Sequence, residues 1–98
     1  MGKAIVLSAR DNVATALDEL NEGEEVTLRN GEEKVIKILQ DIPFGHKFAT
    51  RNIQRGEEIL KYGEVIAKAT VDIKEGGHVH VQNVESLRGR GDLTPQEE

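Results

Sequence analysis

The sequence predicts a small, mainly β domain, α+β only through one short helix, and three observations carry that expectation. Asn30-Gly31 stands between two alternating apolar runs, and these two residues accept the positive φ that a type I′ hairpin turn requires. After Leu39, short apolar stretches alternate with Pro43, Gly45, Gly56, Gly63, Gly76 and Gly77, the rhythm of short strands joined by tight turns. Finally, one phrase is written three times: Asp or Asn, Ile, two residues, Gly, two residues, then an apolar residue. The copies are Asp41-Ile-Pro-Phe-Gly-His-Lys-Phe48, Asn52-Ile-Gln-Arg-Gly-Glu-Glu-Ile59 and Asp72-Ile-Lys-Glu-Gly-Gly-His-Val79. Each pairs a core Ile with a Gly turn that launches a new strand.

The elements follow in chain order. Ala4-Ile-Val-Leu7 is an apolar run suited to a buried strand. Asp11 reads as a helix N-cap. Val13, Ala14, Ala16, Leu17 and Leu20 recur at helical spacing, predicting an amphipathic helix over 12–21 that Gly23 ends. Asp18, Glu19 and Glu22 lie late in that helix, where the macrodipole opposes them. The hairpin strands are Glu25–Arg29, with Val26 and Leu28 alternating, and Glu33–Leu39, with Val35 or Ile36 and Ile38. Further strands are expected over 46–49, 57–60, 65–70 and 78–83, and 49–53 has room for a single helical turn. The domain is expected over 1–84. From Glu85 the chain turns polar and Gly-rich, which reads as a flexible tail over 85–98.

Composition removes several classes of function. Ninety-eight residues make one domain with one modest core. Two Phe, one Tyr and no Trp leave that core aliphatic, which disfavours a deep aromatic-lined cofactor pocket. A net charge of −5 disfavours nucleic acid and anionic membranes, which need a basic face. Without cysteine there is no disulfide, thiolate nucleophile or Cys-based metal site. No signal-like N-terminus or membrane-length apolar run is visible, so a cytoplasmic protein is expected.

All three histidines fall in two turn-to-strand junctions: His46 after Gly45, and His78 with His80 after Gly76-Gly77. A compact β fold can bring such junctions together, and sites are commonly built from strand ends on a rigid scaffold. His46 and Lys47 read either as a pair facing a carboxylate-bearing substrate or a metal, or as a loop-bound His beside a solvated Lys. His78 and His80 alternate along a strand, so they share a face and can chelate one ion. No nearby carboxylate completes a ligand set, and further ligands would have to come from elsewhere. Lys61 can contact an anion and Tyr62 can pack half-buried with its hydroxyl outward, or Lys61-Tyr62-Gly63 simply joins two strands. The chain carries no phosphate loop, nucleophile elbow or Ser/His/Asp arrangement.

The run from Asp41 to Asn83 resembles a known family. It reads Asp41-Ile-Pro-x-Gly-His-Lys-x-Ala49, then Ile53-x-x-Gly-Glu-x-Ile-x-Lys-Tyr-Gly-Glu-x-Ile-x-x-Ala69, then Ile73-x-x-Gly-x-x-Val-His-x-x-Asn83. This is similar to the N-terminal module of altronate and galactarate dehydratases, which also occurs as the separate small subunit of related lyases such as sulfolactate sulfo-lyase. The module is a SAF domain with a β-clip fold. The resemblance implies a small subunit of a two-component hydro-lyase acting on a sugar acid or related hydroxy acid, inactive without a large catalytic subunit. It implies catalytic roles for His46, Lys47 and His80, and substrate binding by Lys61, Tyr62 and Asn83. It also implies a divalent metal such as iron, magnesium or manganese, shared with the large subunit and touching His46 and His80. One position departs: the family reads Val-His-x-His-Asn, and Gln82 stands where the second His belongs. His78 lies on the other side of His80 and does not replace it in register. The alternative is a non-catalytic SAF module that binds a carbohydrate acid or docks on another protein.

Overall fold

A computed structural model describes residues 3–6, 8, 10–30 and 32–86. The second residue of the Asn30-Gly31 turn, Leu7 and the tail from residue 87 lie outside the described residues. Within them the chain is all strand: β1 (Ala4–Ile5), β2 (Val13–Ala16), β3 (Glu25–Asn30), β4 (Glu32–Lys37), β5 (Lys47–Ala49), β6 (Glu58–Lys61), β7 (Glu64–Ala69), β8 (His78–Val79) and β9 (Val84–Ser86). They form a sheet of order β1-β2-β5-β8, the hairpin β3-β4 and a sheet of order β6-β7-β9. Every pairing is antiparallel. No described helix is long and apolar enough to cross a membrane.

The expected helix over 12–21 is replaced by β2 and an isolated bridge from Leu20 to Ile42. The apolar run there has a different cause. β2 is buried on both faces: Ala14 and Ala16 join a core with Phe48, Ile36 and Ile38, while Val13 joins a second core with Ala49, Ile59 and Val79. A strand buried on both sides loses its polar alternation, and a short run of that kind cannot be told from a buried helix by period. Asp11 does cap free N–H groups, but those of a distant hairpin turn: its carboxylate accepts from Tyr62 N–H at 3.0 Å and Gly63 N–H at 2.8 Å. No helical turn forms at 49–53 either; Ala49 ends β5 and Ile53 bridges to Ile73. The strand expected over 78–83 stops at Val79, turns through 81–83 and restarts as β9, which carries regular pairing to Ser86.

The repeated phrase is the structural unit, and a fourth copy precedes the three. Leu20-Asn-Glu-Gly23-Glu-Glu-Val26 has the same spacing, with Leu20 in the place of Ile. Copies pair through the bridges Leu20–Ile42 and Ile53–Ile73. The turn glycines Gly23, Gly45, Gly56 and Gly76 all have φ between 85° and 89°, the left-handed region that Gly enters without a steric penalty. Paired copies brace each other. Asp41 accepts the Glu22 N–H at 2.9 Å, Asp72 the Arg55 N–H at 2.8 Å and Asn52 the Glu75 N–H at 2.9 Å. The Asp or Asn that opens each phrase is there to satisfy a turn amide of its partner.

One buried polar side chain fixes the start of β2 to β6. Asn12 is fully buried. Its Nδ2 donates to Glu58 O at 2.9 Å and its Oδ1 accepts from Leu60 N–H at 2.8 Å. The β6–β7 register shifts between Ile59 and Leu60, which turns the Leu60 amide out of the ladder and toward Asn12. The side chain thus stands in for a neighbouring strand along β6.

Candidate functional site

The position after the turn Gly has a structural duty in two copies. Glu24 accepts the Asn21 N–H and Glu57 the Gln54 N–H, each at 2.9 Å. In the copy beginning at Asp41 the amide to be braced belongs to Pro43, which has no N–H. The position after Gly45 is thereby released from bracing, and it is occupied by His46.

The β5–β8 register pairs Lys47 with Val79 and Phe48 with His78. One step further along the same ladder, His46 lies across from His80, and the two rings stack with centroids 4.3 Å apart and planes 19° from parallel. His78 meets His46 differently. His46 Nδ1 and His78 Nε2 are 3.0 Å apart, the centroids 5.2 Å and the planes 18° from parallel, so these two rings meet edge to edge through a shared proton. Gln82 Nε2 lies 3.2 Å from His78 Nδ1. A row Gln82–His78–His46 results, in which a neutral His78 takes the Gln82 N–H on Nδ1 and gives its Nε2–H to His46 Nδ1. One ligand atom from each of the three rings lies within 4.8 Å of the others.

The backbone around these rings is tied down. Gln40 Oε1 accepts the His78 N–H at 3.1 Å. Asn83 Oδ1 accepts the His80 N–H at 3.0 Å while its Nδ2 donates to His78 O at 2.7 Å. Asn83 therefore holds the turn that presents His80, with both polar atoms engaged by backbone.

A cleft of about 380 Å³ opens beside the imidazole group. Its floor is Ile59, Ile66, Ala67, Val79 and Val84; Lys47, Lys61, Tyr62, Glu64 and His80 stand around it. His80 belongs to both cleft and imidazole group. Lys61 Nζ sits 5.0 Å from the Tyr62 ring centre, a cation–π contact. Tyr62 has φ 59° and Gly63 φ 75°, the two positive values of a type I′ turn. Asn would be the usual first residue there. Tyr is held by the Asp11 carboxylate on both turn amides.

Charge follows burial. The Lys47 ammonium is pulled below its ordinary range, first by burial and then by the Lys61 charge. His78 is pushed below the ordinary imidazole value, first by burial, then by His46 and His80. A neutral His78 keeps a lone pair available, and the paired ammoniums make the cleft receptive to an anion.

Residues 2–87 match the altronate/galactarate dehydratase SAF domain. The chain belongs to that family. Among curated relatives, it is 44% identical over 79 residues to altronate dehydratase of Escherichia coli, a match covering 81% of this chain and 15% of the relative. It is 35% identical over 86 residues to altronate dehydratase of Bacillus subtilis, covering 88% of this chain and 17% of that protein. The (2R)-sulfolactate sulfo-lyase subunit alpha of Paracoccus pantotrophus is 44% identical over 48 residues, which cover 49% of this chain and 72% of the subunit. The chain thus corresponds to a minor part of the altronate dehydratases, and to most of the sulfo-lyase subunit's length through half of its own.

Within this SAF domain the fold gathers His46, Lys47, Lys61, Tyr62 and His80 around one cleft and its rim, while Asn83 supports them from behind. Sequence reasoning missed Gln82 as a partner of His78, and Asp11 and Gln40 as supports. Only the four-residue spacing from His78 to Gln82, which lies in the turn at 81–83, offered a signal.

Proposed function

We propose that this chain is the small component of a two-part lyase that eliminates water from a sugar acid such as altronate or galactarate, or a comparable group from a related hydroxy acid. The observation that carries this reading is the convergence of three imidazoles and two ammoniums at one cleft, with His80 common to both sets. The names of the relatives, altronate dehydratase and sulfolactate sulfo-lyase subunit alpha, support lyase chemistry on hydroxy acids. That one relative is named as a subunit, sulfo-lyase subunit alpha, supports a partner that completes the site.

Elimination next to a carboxylate requires a base for the α-proton, a donor for the departing hydroxide, and charge to hold the carboxylate. Lys61 and Lys47 supply that charge at the cleft, and Tyr62 covers it. His46, 3.0 Å from His78, serves in proton transfer while no ion is held there and as a ligand when one is, and His80 faces the substrate. Asn83 and Gln40 hold the backbone that aims these rings. The imidazoles also fit a divalent ion. Nitrogen donors favour iron among the ions the family resemblance implies, and magnesium, which prefers oxygen, fits poorly. Such an ion would polarise the substrate oxygens as a Lewis acid.

The test is to co-express the chain with the large chain of an altronate-dehydratase-type lyase from the same source, purify the complex and assay a panel of sugar acids and sulfolactate. Activity that needs both chains supports the reading. Full activity of the large chain alone, or binding of a hydroxy acid by the small chain with no enhancement of any lyase, would favour a non-catalytic binding module.

A further inference from the structure

We infer that His78 is a third metal ligand beside His46 and His80, and that Gln82 is its positioning residue, so that this chain alone presents a three-imidazole face to a nitrogen-seeking divalent cation such as Fe²⁺, Co²⁺ or Zn²⁺. This deepens the lyase reading and rests on it only for what the bound ion does. The first ground is distance. Metal–imidazole bonds of about 2.0–2.1 Å at right or tetrahedral angles place two ligand nitrogens about 2.8–3.4 Å apart, and His46 Nδ1 and His78 Nε2 already stand 3.0 Å apart. His80 offers its nitrogen within 4.8 Å of both, a gap that side-chain rotation closes. The second ground is the far side of His78. Ligating histidines nearly always bond their other nitrogen to a fixed partner, and Gln82 sits 3.2 Å from His78 Nδ1. The third is the donor set. All three donors are imidazole nitrogens and the group contains no carboxylate, which selects against Mg²⁺.

Binding requires one internal proton shift and no external acid or base. The proton between the rings leaves His78 Nε2, and His78 takes the tautomer with the proton on Nδ1. Gln82 then turns its amide so that Oε1 accepts that proton, a change an amide makes at constant shape. The net charge of the rings is unchanged. An ion added beside Lys47 and Lys61 meets two like charges, so an anionic hydroxy acid in the cleft tightens metal binding and metal tightens acid binding to the same degree.

The experiment uses the full chain with no histidine tag, titrated with Co²⁺ and followed by its visible d–d absorption, with Mg²⁺ as competitor. The expected result is one Co²⁺ per chain, no displacement by millimolar Mg²⁺, at least tenfold weaker binding in His78→Ala, and a loss of about tenfold in Gln82→Ala. Gln82 is exposed, so that second variant reads the ligand set without putting folding at stake. Co²⁺ binding equal to wild type in both variants, or no saturable d–d band, overturns the inference. The two readings separate cleanly. A chain that ignores Co²⁺ yet supports turnover in the reconstituted complex ends the metal inference and leaves the lyase reading. A chain that binds Co²⁺ through His78 but supports no lyase does the reverse.

Discussion

His78 differs from the other two histidines in having both ring nitrogens engaged, one by His46 and one by Gln82. Its imidazole is held below its ordinary value by burial and by two neighbouring rings, so the folded protein resists protonating it. The unfolded chain protonates the same ring near pH 6.5. The unfolded state therefore binds more protons in the window below that value, and stability present above pH 6.5 is lost as pH falls toward the folded value. We expect the midpoint of thermal unfolding to drop between pH 7 and pH 5, and His78→Gln to flatten that drop; superimposable profiles would contradict the assignment. Asn12 offers a second check on single groups. Truncation to Ala orphans the Leu60 N–H and the Glu58 carbonyl in a buried setting, so Asn12→Ala should cost about 1–3 kcal/mol in chemical denaturation. At this scale the sequence pointed to His46, Lys47 and His80 because they sit at turn-to-strand junctions of a repeated phrase, and to Lys61 and Tyr62 through the family resemblance. It did not assign His78 its contact, because that depends on how two distant junctions meet. Nor did it separate Asn83 the support from Asn83 the ligand, since both roles use the same amide.

The repeated phrase sets the behaviour of the elements. Its turn glycines share one backbone conformation but not one environment. A Cβ at Gly56 would meet nothing within 4 Å, whereas one at Gly76 would lie 2.0 Å from Lys37 O. Gly56→Ala should cost only the left-handed backbone penalty, about 1–2 kcal/mol. Gly76→Ala must also push β4 away from the turn, and we expect it to be far more destabilising. Equal midpoints in a denaturant series would contradict the close approach. Asp72→Ala removes the cap on Arg55 N–H and should cost about 1 kcal/mol, with little effect on the imidazole group. The β3–β4 hairpin and the strands after Leu39 were legible from turn chemistry and alternation. The strand β2 was not, because Val13, Ala14 and Ala16 face two cores at once and their run has no polar alternation. The fourth phrase was hidden because Leu20 replaces Ile and Glu19 replaces Asp or Asn.

Taken whole, the domain places its chemistry where apolar side chains are also left uncovered. Phe44 and Val81, in the turns that carry His46 and His80, are 68% and 78% exposed, and Tyr62 beside the cleft is 59% exposed. If the proposed two-part lyase is correct, these residues are the ones that contact the large chain and close the cleft against water. Phe44→Ser with Val81→Ser should weaken co-purification of the large chain while leaving the fold of the small one intact. The measurement that tests the central claim most directly is steady-state kinetics of the reconstituted complex with wild-type and His46→Ala small chains, on the hydroxy acid it turns over fastest. The expected result is a fall in kcat of about 10²–10⁴-fold with the complex still assembled, as for loss of a proton-transfer group. An assembled His46→Ala complex with wild-type kcat would contradict it.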